Sequence, residues 1–315
     1  GTEGRKMAEI TAKLVKELRE KSGVGMMDAK KALVENNGDM EASMDWLRTK
    51  GLAKAAKKAD RVAAEGLVAI NATGTRAAVI EVNSETDFVA RNEQFQTFVS
   101  DLASIAADAN GNIDALAGMT YPGSEKPVSE VLTDNIATIG ENMSLRRVAS
   151  LSVEDGVIAT YMHNAVVPNL GKIGVLVAME SSGDTAQLEL LGSDIAKHVA
   201  AMNPAALNQD SLDQNVVDRE RAVLTEQARE SGRPEEVIAK MIEGRMAKFL
   251  KEVCLVEQPL VTDADGRSVK DCVSALAKEL DTDVTLKGYV RMQLGDGIEK
   301  KEENFAKEVA AVAGR

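Results

Sequence analysis

Gly66-Leu-Val-Ala-Ile70, the pair Thr73–Gly74 and Ala77-Ala-Val-Ile-Glu-Val82 decide the fold of this chain. Two short aliphatic runs on either side of a glycine-containing turn read as a β-hairpin. A helical stripe follows, formed by Phe88, Phe95, Phe98, Val99 and Leu102. The same order then returns. Gly156-Val-Ile-Ala-Thr-Tyr161 leads through a loop to Ile173-Gly-Val-Leu-Val-Ala-Met179, and the stripe Leu188, Leu191, Ile195, Val199 is closed by Asn203–Pro204. A hairpin followed by a helix, met twice, is an internal duplication. Each copy has room for one more strand, over residues 145–151 and 287–294. The expected class is α+β: a duplicated core over 66–152 and 153–296, each half an antiparallel sheet covered by helices.

Outside the core the period changes. Residues 8–54 read as three short helices. Ile10, Leu14 and Leu18 form the first stripe, with Thr11 as its cap and Gly23 as its stop. Ala29, Ala32 and Leu33 line the second helix, and Asn37–Gly38 breaks it. Asp39 caps a third, which carries Met40, Met44 and Leu47 and is expected to end at Gly51. Residues 55–65, Ala/Lys-rich at first, read as a solvated connector, and 109–130 as a loop-rich insertion. Residues 215–253 are charged and helix-forming, broken once at Ser231-Gly-Arg-Pro234. They read as an inserted antiparallel helical hairpin, with Val217, Leu224 and Ala228 inside one arm and Ile238, Met241, Ile242, Arg245, Phe249 and Val253 inside the other. Residues 297–315 read as a C-terminal helical module bearing Phe305, Val309 and Val312.

Composition narrows the function. The 315 residues carry 38 Lys and Arg against 50 Asp and Glu, a net charge of −12. A dedicated nucleic-acid binder needs clustered positive charge, so this sign argues for a protein or small-molecule partner. Apolar residues reach 44% but aromatics only 3%, so the cores are built from Ala, Val, Leu, Ile and Met. Two His (His163, His198) and two Cys (Cys254, Cys272) fit no zinc spacing and read as parts of a reduced, cytoplasmic protein. No apolar run is long enough to span a membrane. Gly1–Lys6 reads as an added leader before Met7, and no targeting segment is expected. Gly171–Lys172 lacks the rest of a phosphate loop, and Gly295-Asp-Gly297 lacks the third glycine of a dinucleotide fingerprint. No cofactor, metal or catalytic constellation is expected, and the chain reads as a non-enzyme.

Three local features and the two histidines remain. Glu85-Thr-Asp-Phe-Val-Ala-Arg91 sits between the second strand and its helix. In one reading Thr86 is an N-cap, Asp87 sits in the first turn and Phe88 packs inward. In the other, Asp87 and Phe88 project from a rigid corner into another molecule. Residue types alone favour the first. Met26 and Met27 are adjacent, so both cannot face one helical core, and an exposed thioether suits partner binding. Ile139-Gly-Glu-Asn142 reads as a helix end leading into a strand, with Arg146 and Arg147 as solvated strand residues. His198 lies beside an apolar stripe and reads as structural. His163, at a strand end, is a contact candidate.

Taken together, Val15-Lys-Glu-Leu-Arg19, Gly25-Met-Met-Asp28, Thr86-Asp-Phe-Val89, Ile139-Gly-Glu-Asn142, His198-Val-Ala-Ala201, Glu243-Gly-Arg-Met246, Gln258–Pro259 and Gly295-Asp-Gly-Ile-Glu299 resemble the bacterial elongation factor Ts family. The resemblance runs over nearly the whole chain. It implies a guanine-nucleotide exchange factor whose partner is elongation factor Tu, with no nucleotide, nucleic-acid or membrane binding of its own. Residues 8–54 would be a ubiquitin-associated-like domain docking on the partner's GTPase domain through Arg19, Met26, Met27 and Lys30. Thr86, Asp87, Phe88 and Val89 match the motif that dislocates the partner's magnesium. Ile139, Gly140 and His163 match further core contacts, and Val261 and Thr262 a contact of the second subdomain. Apolar residues on the hairpin would permit a homodimer or a 2:2 complex. The alternative expectation is a non-enzymatic adaptor that binds through the three-helix module alone.

Overall fold

The computed structural model describes residues 9–299 except Gly23 and Gly25. The stop expected at Gly23 and the C-terminal helix from residue 300 onward lie outside the described residues. The chain divides into two compact units. Among the described residues, one holds 9–67, 81–147 and 294–299, the other Val68–Ile80 and Val148–Gln293.

The first unit begins with α1 (Ala12–Ser22), α2 (Met26–Glu35) and α3 (Met40–Lys58). Thr11 Oγ1 accepts from the Leu14 amide at 3.2 Å, and Asp39 Oδ1 from the Ala42 amide at 2.9 Å. These caps satisfy amides that a helix start leaves without partners. Leu18, Ala29, Ala32 and Leu33 are fully buried against Leu14, Met44, Trp46 and Leu47. The third helix does not stop at Gly51. It runs to Lys58, and Gly51 is instead where α3 passes α6 (Val128–Ile139): a Cβ built there lies 3.6 Å from the Ala137 Cβ. A glycine with helical neighbours on both sides marked a close approach rather than an end.

Strands β1 (Glu65–Thr73) and β2 (Arg76–Ser84) form the first hairpin, turning at Gly74–Thr75. Helix α4 (Glu93–Ala106) follows, capped by Asn92, whose Oδ1 accepts from the Phe95 amide at 3.0 Å. The expected loop region contains a helix, α5 (Ile113–Gly118), started by an Asn112 cap. Next come β3 (Met143–Ser152) and β4 (Gly156–His163), a two-residue β5 (Leu170–Gly171) and β6 (Ile173–Glu180). Helices α7 (Thr185–Met202), α8 (Gln214–Glu230), α9 (Glu235–Val253) and α10 (Val269–Leu280) precede β7 (Thr285–Gln293). Helix α10 has no counterpart among the elements expected from the sequence. Ser268 caps it, and Val269, Cys272, Val273 and Leu276 make its buried face.

The strands form two sheets, β3-β2-β1-β5 and β4-β6-β7. Read from the third strand, each copy has the same order: third strand, second, first. The pairing of β6 with both neighbours is antiparallel. Gly66 and Gly156 occupy corresponding places at the start of each copy, with φ of +116° and +132°. A Cβ on either would lie 2.2 Å from the Val82 carbonyl oxygen or 2.1 Å from that of Met179. Only glycine fits such a place.

In the second unit Val175, Val177 and Met179 of β6 face Leu188, Ile195 and Val199 of α7 and the buried side of α10. On the opposite face of β6 a Cβ at Gly174 would meet Val68 at 2.9 Å and Val79 at 3.0 Å. The strand is covered on both sides, which is why its sequence is a continuous apolar run. Helices α8 and α9 pack on each other, and Arg221 Nη1 meets Glu243 Oε1 at 2.9 Å. Met246, not Arg245, takes the buried position on α9. Among the described residues no helix is long and apolar enough to cross a membrane.

Candidate functional site

The corner after β2 is built by side chains that hold its backbone and leave its tip free. Ser84 Oγ donates to the Thr86 carbonyl at 2.9 Å. The amides of Glu85 and Thr86 both donate to Glu141 Oε1, at 3.0 and 2.9 Å, and Thr86 Oγ1 donates to Glu141 Oε2 at 2.7 Å. Thr86 therefore caps no helix; its hydroxyl serves Glu141. Immediately downstream Val89 and Ala90 are buried and begin a single 3-10 turn, Val89–Arg91. Asp87 and Phe88 lie between these two anchors and are exposed, Phe88 to 77%. The inward-packing reading of Phe88 is thus overturned. The ring belongs to no helical stripe, because the chain turns before α4 begins at Glu93 and the inner positions go to Phe95 and Phe98.

Glu141 reaches the corner because α6 ends at Gly140, whose φ of +86° turns the chain back. Ile139 is half-buried and Gly140 exposed beside it. Asn142 Nδ2 donates to the Arg61 carbonyl at 2.6 Å, and Arg61 Nε lies 3.6 Å from Glu85 Oε1. The structure thus brings Thr86 and the segment Ile139–Gly140 together through the one side chain between them. Residue types and spacing alone assign Glu141 no role. The available signal was an acid directly after a helix-ending glycine.

Deeper in β2, Glu81 is fully buried. Its carboxylate receives Arg146 Nη1 at 2.7 Å, Arg147 Nε at 2.6 Å, the Gly295 amide at 2.6 Å and Asn83 Nδ2 at 3.2 Å. Burial pushes the Glu81 carboxyl up, but the Gly295 amide, Arg147 and Asn83 outweigh it and hold the group below the ordinary carboxylate value. The arginines expected to be solvated strand residues are therefore ion-paired.

In the helical region Arg19 is exposed on α1, and α2 exposes Met26 to 59%, Met27 to 81%, and Lys30 one turn further on. Both methionines are at the surface, because Ala29, Ala32 and Leu33 already fill the inner face. In the second unit His163 is exposed at the end of β4, its Nδ1 3.0 Å from Tyr161 Oη. Val261 is 52% exposed and Thr262 lies beside it, also exposed. The partner of Val261 is within the core: its amide donates to Nδ1 of the buried His198 at 3.2 Å. Each of these two surface positions has its own local support, Tyr161 for one and His198 for the other. Cys254 and Cys272 are free and buried, and burial pushes both thiols up. Among the described residues no group of three or more His, Cys, Asp or Glu could hold a metal ion.

An exposed carboxylate and aromatic on a braced corner, carried by helices and antiparallel sheets, accompany a sequence match that places the chain among the elongation factors of protein biosynthesis. Residues 85–296 match the family Elongation factor TS. Over 310 residues the chain is 60% identical to Elongation factor Ts of Sphingopyxis alaskensis, covering 98% of this chain and all of that one. It is 56% identical over 307 residues to the Parvibaculum lavamentivorans protein of that name, covering 98% and 99% of the two chains. The Caulobacter vibrioides protein of that name is 56% identical over 313 residues, covering 98% and 100%. The chain belongs to the elongation factor Ts family, an exchange factor by family and not an enzyme.

Proposed function

We propose that this chain binds elongation factor Tu in its GDP form and promotes release of the nucleotide by disturbing the partner's magnesium and phosphate site. The observation that carries the reading is the exposed pair Asp87 and Phe88 on a corner whose backbone is tied down on both sides. A large apolar ring left in water beside a carboxylate costs solvation, and docking recovers it.

Phe88 acts as a wedge between partner side chains and shifts the helix that carries them. Asp87 then competes for the hydrogen-bonded water shell that holds Mg²⁺. Loss of the ion leaves phosphate charge unneutralised, and GDP leaves. Linkage makes the effect reciprocal: a factor that weakens nucleotide binding is itself weakened by nucleotide, to the same degree. Incoming GTP therefore expels the factor, which turns over without making or breaking a bond.

Arg19, Met26, Met27 and Lys30 are the docking surface of the ubiquitin-associated-like module over residues 8–54, on the partner's GTPase domain. Ile139 and Gly140 flank the corner. His163, Val261 and Thr262 serve the contacts of the second core half. The protein works in the cytoplasm, where its partner is.

The test is release of a fluorescent GDP from bacterial elongation factor Tu under excess unlabelled GDP, with substoichiometric amounts of this chain. Acceleration over many turnovers is expected. A folded chain that forms the complex without accelerating release would sink the exchange reading and leave the adaptor reading.

A further inference from the structure

Glu141 is itself no predicted contact position, yet it bonds one of them, Thr86. Its two carboxylate oxygens take three donors, the amides of Glu85 and Thr86 and the hydroxyl of Thr86, at 2.7 to 3.0 Å. Those are the last donors before Asp87. We infer that Glu141 is a positioning residue for exchange: it presets the corner so that Asp87 and Phe88 meet the partner already in their working geometry. The inference rests on the exchange reading and adds to it a residue that does not itself enter the partner's site.

Hydrogen bonds to an ionised acceptor are about twice as strong as neutral ones, and here they converge on two consecutive backbone groups. An unbraced corner would let the Phe88 ring fold down onto its own surface, since water penalises its exposure. Yet the ring is 77% exposed, and the residues that follow it, Val89 and Ala90, are buried and cannot move with it. The clamp is itself seated. Gly140 turns the chain at φ +86°, and Asn142 ties the next residue to the Arg61 carbonyl at 2.6 Å. A preset corner avoids the ordering cost that binding would otherwise incur, and the saving is realised in the step the corner performs.

The experiment uses the full chain in four forms: Glu141→Ala, Glu141→Gln, Asp87→Ala with Phe88→Ala, and the triple variant. Exchange on elongation factor Tu is followed over a range of factor concentrations. In parallel, hydrogen exchange of the Glu85 and Thr86 amides is measured in the free protein. Glu141→Ala is expected to lower the maximal exchange rate about tenfold, the loss expected from a set of charged hydrogen bonds. The half-saturating concentration should change little, and the two amides should lose protection. Glu141→Gln keeps an oxygen for both amides and an NH₂ group facing the Thr86 hydroxyl, so it should recover most of the rate. In the triple variant Glu141→Ala should add nothing to the loss already caused at Asp87 and Phe88, because its route runs through them.

A wild-type rate in Glu141→Ala would overturn the inference. So would a further tenfold loss in the triple variant, which would mark a general structural role. Unchanged amide protection would overturn the clamp itself. If the unaltered chain fails to accelerate GDP release, the exchange reading fails, and the positioning role falls with it. Loss of amide protection in Glu141→Ala would then show that the clamp exists but serves another contact.

Discussion

Nδ1 of His198, a side chain with no exposed surface, accepts the amide of Val261, which is half in solvent, at 3.2 Å. Because Nδ1 accepts, the ring proton sits on Nε2 and is donated to Gln258 Oε1 at 2.8 Å. Gln258 in turn donates to the Glu252 carbonyl at 2.8 Å. A buried three-residue relay thus sets the backbone of a surface segment. His198→Ala removes the ring, leaves Gln258 Oε1 without its donor and frees the Val261 amide. The expected cost is about 2–4 kcal/mol of stability, read as a lower urea midpoint. Faster hydrogen exchange at Val261 should accompany it. An unchanged midpoint would show that the relay is dispensable.

Asp87→Ala with Phe88→Ala should separate docking from exchange. Both side chains are exposed, so unfolding should move by no more than about 0.5 kcal/mol. The exchange rate should fall between about tenfold and a hundredfold, the scale of losing a central aromatic anchor and its charged neighbour. Complex formation with nucleotide-free partner should persist. Exchange at the normal rate would refute the wedge.

Gly192 and Gly244 give opposite expectations for one substitution. A Cβ on Gly192 would lie 2.6 Å from the Ala159 Cβ and 3.2 Å from the Met179 Cγ, so α7 would have to lift off its sheet. Gly192→Ala should cost about 1–3 kcal/mol. Gly244 lies inside α9 with nothing within 4 Å of such an atom. Gly244→Ala should stabilise by about 0.5–1 kcal/mol, because glycine is the weaker helix former. Thermal unfolding of the two variants checks both signs.

Glu81 makes stability depend on acid pH. Its carboxyl is held below the ordinary value of 4.5, so the folded state releases this proton more readily than the unfolded chain. The contribution is fully present above about pH 4.5 and is lost as pH falls through the lower folded value. Glu81→Gln should cost about 2 kcal/mol or more at pH 7. The gap in melting temperature between wild type and variant should narrow as the pH is lowered toward 3. A gap independent of pH would mean that the ion pairs with Arg146 and Arg147 contribute nothing.

Local order was the legible part of this chain. Alternating and continuous apolar runs located β1, β2, β4 and β6, and the 3.6-residue stripe located α7 up to Asn203, because these patterns describe a face before its partner is known. Caps such as Asp39 were legible for the same reason: they bond within their own turn. The reading failed at Gly51, at α5 and α10, and at Arg245 against Met246. At Gly51 the deciding neighbour, Ala137, is distant in sequence, and Arg245 and Met246 differ by one step of a helical turn.

The amino-acid sequence by itself determined the mixed helix and antiparallel-sheet class, the repeated hairpin-and-helix order and the family. All three rest on residue types and spacings along the chain. Tertiary structure alone decided that Phe88 faces water, that Arg146 and Arg147 converge on Glu81, and that Glu141 holds Thr86 from 55 residues away. Those facts depend on which groups meet after the chain has closed on itself. A buried carboxylate keeps its charge, and a surface aromatic stays in water, only when partners from other elements fix them there.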